Sequence, residues 1–151
     1  MRIEDVVVNA SPLISLFRSG QADLLPRIFH RIVVPEAVWQ EVVLEDKDDA
    51  VARELSAQPW PVRESVTPSP RVNAWNLGAG ETAVLSHALA HRPQRAMIDD
   101  AAARRCAITL DIPILGTGGM FVLAKRRGLS PRLEHRLKSC EQADFGSPMN
   151  S

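Results

Sequence analysis

Two adjacent carboxylates, Asp99 and Asp100, end a short apolar run, Ala96-Met97-Ile98, and an alanine- and arginine-rich stretch follows them to residue 107. The run reads as a buried strand, the acids as its tip and the following stretch as a helix. In an open α/β sheet the carboxyl ends of the strands are where ligands bind. Two carboxylates side by side repel each other, and a cation or a shared proton relieves that repulsion. Three other polar residues have a claim to the same edge or to the helix faces beside it: Asn9, Glu41 and Glu81. Carboxylates drawn from separate segments, with no histidine or cysteine cluster, suit a hard cation such as Mg²⁺ or Mn²⁺. A site of that kind can activate water and hold a phosphodiester for in-line attack.

Each candidate also has a plain structural reading. Asn9 ends the β-branched run Val6-Val7-Val8, where it either faces the chemistry or simply turns the chain. Glu36 sits in the first turn of a helix opened by Pro35, and the helix dipole accounts for it. Glu41 has no such account: its spacing from Ala37 and Val38 sets it on the border of the apolar face, as a solvated residue or as one needing a partner. Glu81 complements a helix dipole, yet Gly78 and Gly80 beside it permit a close backbone approach. His87 and His91 are four apart but lack the glutamate of an HExxH pair, and His91 reads as a cation at a helix C-terminus. Gly116-Thr117-Gly118-Gly119 fails as a dinucleotide loop, because Phe121 stands at the last glycine position. A glycine-rich helix N-terminus of this sort can still take a phosphate on its backbone amides. Lys125, Arg126 and Arg127 suit either a helix C-terminus or a polyanion.

The elements that must position these residues alternate along the chain. Strands are expected at residues 6–8, 32–34, 96–98 and 112–115, with an edge strand at 62–66 between prolines. Ser11 is an N-cap candidate with Pro12 at the first helical position, and Gly20 closes that helix. Further helices are expected at residues 22–29, 35–44, 48–57, 81–91, 101–110, 117–127 and 131–140. That order argues for α/β architecture: a parallel sheet covered on both faces, in one domain over residues 1–140 with a weakly patterned tail at 141–151.

Totals narrow the class further. At 151 residues the chain fits one core. No apolar run reaches the length of a membrane span, and MRIEDVVVNA lacks the features of a signal peptide, so a cytoplasmic protein with free thiols at Cys106 and Cys140 is expected. Net charge is zero but uneven: residues 1–60 hold six basic and ten acidic residues, residues 117–151 six and three. An acidic front half and a basic tail suit a metal site beside a polyanion-binding surface.

In the order VVVNASPLI, PEAVWQE, GAGE, DDAAARRCA, GTGG and AKRRG, the chain resembles PIN-domain proteins over residues 6–128. The resemblance implies a single-domain, Rossmann-like α/β/α sandwich with a parallel central sheet. It implies a metal-dependent endoribonuclease acting on RNA, of the kind found as the toxin of a toxin–antitoxin pair, with a cognate antitoxin and a homodimer as partners. Carried onto this chain, Asn9, Glu41, Glu81 and Asp100 would hold Mg²⁺ or Mn²⁺, with Asp99 as a substitute for Asp100 among the catalytic acids. Ser11 would support the first position, and Thr117, Lys125, Arg126 and Arg127 would contact RNA phosphates. The chain departs from the usual family pattern at Asn9, which stands where an aspartate is usual, although some members of the branch it resembles also carry asparagine there. One negative charge is lost, metal affinity should fall, and a two-metal site is harder to sustain. Two other readings follow: a PIN-fold module that binds RNA or a protein without cutting, or an unrelated hydrolase or phosphotransferase with Asp99 or Asp100 as nucleophile.

Overall fold

The computed structural model describes residues 4–45 and 49–129. The helix expected at 131–140, Cys140 and the tail at 141–151 lie outside the described residues. Five parallel strands form one sheet in the order β3-β2-β1-β4-β5: β1 (Asp5–Val8), β2 (Arg31–Pro35), β3 (Pro61–Glu64), β4 (Arg95–Met97) and β5 (Ile114–Leu115). Val6, Val7 and Val8 are completely buried at the centre, paired with Ile32 and Val33 on one side and Ala96 and Met97 on the other. β-Branched residues buried on both faces are what a covered parallel sheet requires. Pro61 lies on a strand paired only with β2, an edge position that tolerates a missing N–H.

Parallel neighbours need crossover connections, and helices supply them. They are α1 (Ala10–Arg18), α2 (Leu24–Ile28), α3 (Glu36–Gln40), α4 (Asp49–Ala57), α5 (Pro70–Asn73), α6 (Ala79–Ala90), α7 (Ala101–Thr109) and α8 (Thr117–Arg126). Helices and sheet together make the α/β sandwich expected from the alternation. Among the described residues no helix is long and apolar enough to cross a membrane.

Three local differences from the expected elements bear on the site. First, Asn9, not Ser11, is the N-cap of α1. Its N–H donates to Met97 O at 3.0 Å, so the residue still belongs to the sheet, while its carbonyl already accepts the first helical bond from Leu13 N at 3.2 Å. Second, the helix expected over residues 35–44 is interrupted. Pro35 ends β2 in extended conformation, α3 covers five residues, and a π-helical turn runs over Glu41–Glu45. Apolar spacing cannot distinguish an i→i+5 turn from an i→i+4 turn over so short a stretch. Third, α6 is buried at every residue from Thr82 to Ala88, so it is a central helix and not one with a single apolar stripe. Its polar residues are partnered: Ser86 Oγ accepts from Ser69 N at 2.8 Å, and His87 lies between Gln94 Oε1 and Glu64 Oε1, each at 2.8 Å. Glu64 also pairs with Arg31. Both ring nitrogens of His87 are thus occupied by side chains of the fold, and its ring stacks on that of His91 with centroids 4.1 Å apart.

Candidate functional site

Because all five strands are parallel, their carboxyl ends share one edge, and Asn9 lies on it at the end of β1. It is 3% exposed, and its side chain makes no capping bond to α1. Instead the Asn9 amide nitrogen donates to Glu81 Oε2 at 3.3 Å, across 72 residues of sequence. The opposite amide orientation would set a carbonyl oxygen against the carboxylate, which electrostatics disfavours. A turn-forming asparagine would spend its side chain on the local backbone; this one spends it on the first turn of α6.

Two glycines make the convergence possible. A Cβ on Gly80 would stand 3.0 Å from Glu41 Oε1, 3.1 Å from Asn9 Oδ1 and 3.6 Å from Val38 Cγ2. A Cβ on Gly78 would stand 2.7 Å from Glu81 Oε1. Asn9 and Glu41 therefore point toward the space a side chain at Gly80 would fill, and Glu81 toward that at Gly78. Glu41 reaches that space from the first position of the π-helical turn, an arrangement that often marks functional sites.

The segment carrying Glu41 is braced. Glu36 accepts two hydrogen bonds from Arg63 on β3, at 2.7 and 2.9 Å, and one from Gln40 at 2.7 Å. These bonds, Arg63's first, hold the Glu36 carboxyl down to about 2 from its ordinary 4.5. The Arg63 guanidinium also lies over the Trp39 ring, 4.7 Å from its centroid. Glu36 thus has the structural role its position suggests, through a partner on β3 as well as the helix dipole.

Asp99 and Asp100 part company. Asp99 accepts from Thr117 N at 3.0 Å and from Thr117 Oγ1 at 2.7 Å, fastening the tip of β4 to the start of α8. Gly116 leaves room for this contact, since a Cβ there would lie 3.1 Å from Asp99 Oδ1. Asp100 caps α7, its Oδ2 accepting from Ala103 N at 2.9 Å. The α8 amide expected to receive a phosphate at Thr117 is therefore engaged by Asp99. Ser11 is exposed and forms no hydrogen bond with Asn9 among the described residues. Lys125 and Arg126 are exposed in the last turn of α8, whereas Arg127 donates to Ile28 O at 3.2 Å.

Among the described residues no three of histidine, cysteine, aspartate and glutamate form a group that could hold a metal. The group around Gly80 has two carboxylates and one carboxamide, so its third oxygen comes from Asn9. Asn9 Oδ1 and Glu41 Oε1 flank one hollow, and Glu81 is fixed beside it. An all-oxygen donor set of this size and charge fits a hard divalent cation. Sequence reasoning missed the Thr117–Asp99 fastening and the Arg63 brace. The glycine pair in GAGE was the legible signal for the hollow. Cys106 is buried, and burial pushes its thiol up, away from reactivity.

Comparison with known proteins bears on the fold and the family. No curated protein matches the chain. Among solved structures it is similar to a PilT N-terminus domain protein from the hyperthermophilic archaeon Sulfolobus solfataricus P2, with a TM-score of 0.54 at 11% identity, covering 78% of this chain and 91% of that one. At such identity the likeness speaks for the fold alone. A family model described as a PIN domain matches residues 5–148, and the chain, with its five-stranded parallel sheet, belongs to the PIN-domain family, whose fold is of the nuclease type.

Proposed function

We propose that this protein is a metal-dependent endoribonuclease that hydrolyses RNA phosphodiesters, and that it acts as the toxin of a toxin–antitoxin pair. The observation that supports the catalytic part is the approach of Asn9 Oδ1 and Glu41 Oε1 to Gly80, with Glu81 bound by that same Asn9, at the carboxyl edge of a parallel sheet. The resemblance of the ordered motifs to toxin-type members supports the biological role, with a cognate antitoxin and a second copy of the chain as partners.

In this reading Asn9 Oδ1 and the carboxylates of Glu41 and Glu81 hold Mg²⁺ or Mn²⁺. Such an ion, when bound, acidifies a water and offsets charge on the phosphodiester. The chain's own residues prepare the ground for it. The Asn9 amide fixes the Glu81 carboxylate by a hydrogen bond, so that oxygen need not be ordered at the moment of binding. Glu41 is exposed, so the site faces solvent on its side. Asp99 and Asp100 act on the site through the elements they fasten, α8 and α7. Lys125 and Arg126, exposed in the last turn of α8, would contact RNA phosphates remote from the scissile one.

One observation favours a second reading. Asn9 is neutral where the family pattern has an acid, and a weaker metal site suits a module that binds RNA or a partner without cutting. A pool of cellular RNA incubated with Mn²⁺, with EDTA and with the Glu81→Gln variant separates the two. Cleavage by the native protein that disappears in both controls is the expected result. RNA binding without cleavage, by folded protein across divalent metals, would overturn the nuclease reading in favour of the binding module.

A further inference from the structure

We propose that Arg63, held flat over Trp39 beside the candidate site, is a platform on which one unpaired base of the RNA stacks, so that the protein selects single-stranded RNA. The inference rests on the RNA-binding reading above and adds the class of RNA and the residue that recognises it.

Position is the first ground. Arg63 is paired in register with Val34, next to the carboxyl ends of β2 and β3. It therefore lies on the same sheet edge as Asn9. α3 starts at that edge and leads directly into Glu41. Val38 faces Gly80, since its Cγ2 would stand 3.6 Å from a Cβ there, and Glu41 faces Gly80 with it. Glu36 and Trp39 face β3 instead, where they meet Arg63. Successive helical residues turn by about 100°, so two flanks of one short segment carry the two features. An RNA strand that reaches Glu41 from the β3 side passes over Arg63.

Chemistry is the second ground. The Arg63 fork is spent: Nε donates to Glu36 Oε1 at 2.7 Å and Nη2 to Glu36 Oε2 at 2.9 Å. One face of the guanidinium lies over the Trp39 ring, 4.7 Å from its centroid. The side chain is nevertheless 48% exposed, which leaves its other face and the Nη1 edge open to solvent. Such an arginine is a poor ligand for phosphate, because the Glu36 carboxylate already offsets its charge and takes its paired donors. Its open face suits a base, since arginine planes and aromatic rings are the surfaces on which splayed-out bases stack. Bases within a duplex are covered on both faces by their neighbours and cannot reach it. Glu36 and Trp39 also fix the guanidinium in advance, so little side-chain freedom is lost on stacking.

The affinities of native protein and of Arg63→Lys for three probes, with Ca²⁺ as the divalent ion, test this. The probes are a short single-stranded RNA, its duplex, and a ribose-phosphate strand of the same length without bases. Arg63→Lys keeps the charge and an ion pair with Glu36 but has no plane to stack on. It is expected to lose about 10-fold in affinity for the single strand, and to bind the duplex and the base-free strand as native protein does. Trp39→Leu, which takes the ring from beneath the guanidinium, should show the same pattern and stands in if Arg63→Lys does not fold. A loss of equal size on all three probes, or no loss on any, would overturn the inference and leave Arg63 as the brace of α3. Mn²⁺-dependent cleavage of the single strand by native protein, read alongside, would then leave the nuclease reading standing. Native protein that binds none of the probes would overturn the RNA-binding reading, and this inference with it.

Discussion

Two sets of acids in this protein behave in opposite ways. Asp99 and Asp100 are neighbours in sequence, yet one is bound to the start of α8 and the other to the start of α7. Glu41 and Glu81 are 40 residues apart, yet Glu41 reaches Gly80 beside Asn9 and Glu81 is bound by that same Asn9. Successive residues leaving a strand point to opposite sides, so an adjacent pair is poorly placed to share one ion. Residues delivered by separate helices can be aimed at one point. Proximity in sequence is therefore a weak guide to a shared site, whereas a common sheet edge is a strong one.

The comparison breaks most sharply at Gly80. Gly80→Ala should lower cleavage by about 100-fold, since its methyl group enters the space between Glu41 Oε1 and Asn9 Oδ1. The same change relieves helix α6 of a glycine, worth up to ~1 kcal/mol, so urea midpoints should hold or rise slightly. A fully active, equally stable Gly80→Ala protein would show that the hollow is not the site.

The neighbouring acids should respond differently. Asp100→Ala removes an N-cap and should cost about 1 kcal/mol of stability. Asp99→Ala removes two hydrogen bonds to Thr117, with a cost of similar size, about 1 kcal/mol. Cleavage by either variant, assayed well below its unfolding midpoint, should fall less than 10-fold. If Asp100→Ala instead abolishes cleavage with its midpoint unchanged, the two sets of acids are one set, and the division drawn here is wrong.

A smaller effect separates braced acids from site acids by pH. The Glu36 carboxyl is lowered to about 2 by Arg63 and Gln40, and that of Glu64 is lowered first by its hydrogen bond from His87 and then by Arg31. A folded-state value below the unfolded one contributes stability that is full above the ordinary range near 4.5 and is lost as pH falls through that range toward 2. Urea midpoints should therefore drop between pH 5 and about 2.5, and Glu36→Gln should shallow that drop. The change is modest because the Arg63 pair is open to solvent. An identical profile in Glu36→Gln would show that the brace contributes nothing.

Much of this architecture was legible in the residues alone. Val6-Val7-Val8 could only be a covered strand, and the alternation of such runs with helical spacing implied the parallel sheet. Glu81 and Asn9 were legible as candidates because each abuts an element boundary. What could not be read was where each side chain spends its hydrogen bonds. Asn9 had two readings of equal standing, and only the structure shows its side chain bonded to Glu81 at 3.3 Å and not to the local backbone. Asp100 looked the best match to a fourth acid, and only the structure shows that its Oδ2 also caps α7. Thr117, read as a phosphate contact, is taken by Asp99.

The sequence by itself determined the strands, the class of fold and the oxygen-only chemistry, because periodicity and residue type act locally and are written residue by residue. Tertiary structure alone decided that Asn9 and Glu41 approach each other at Gly80, that Asn9 binds Glu81, and that Asp99 and Asp100 fasten different helices. Those outcomes depend on crossing connections and on a π-helical turn that redirects Glu41, and such geometry exists only once the sheet has brought distant segments to one edge.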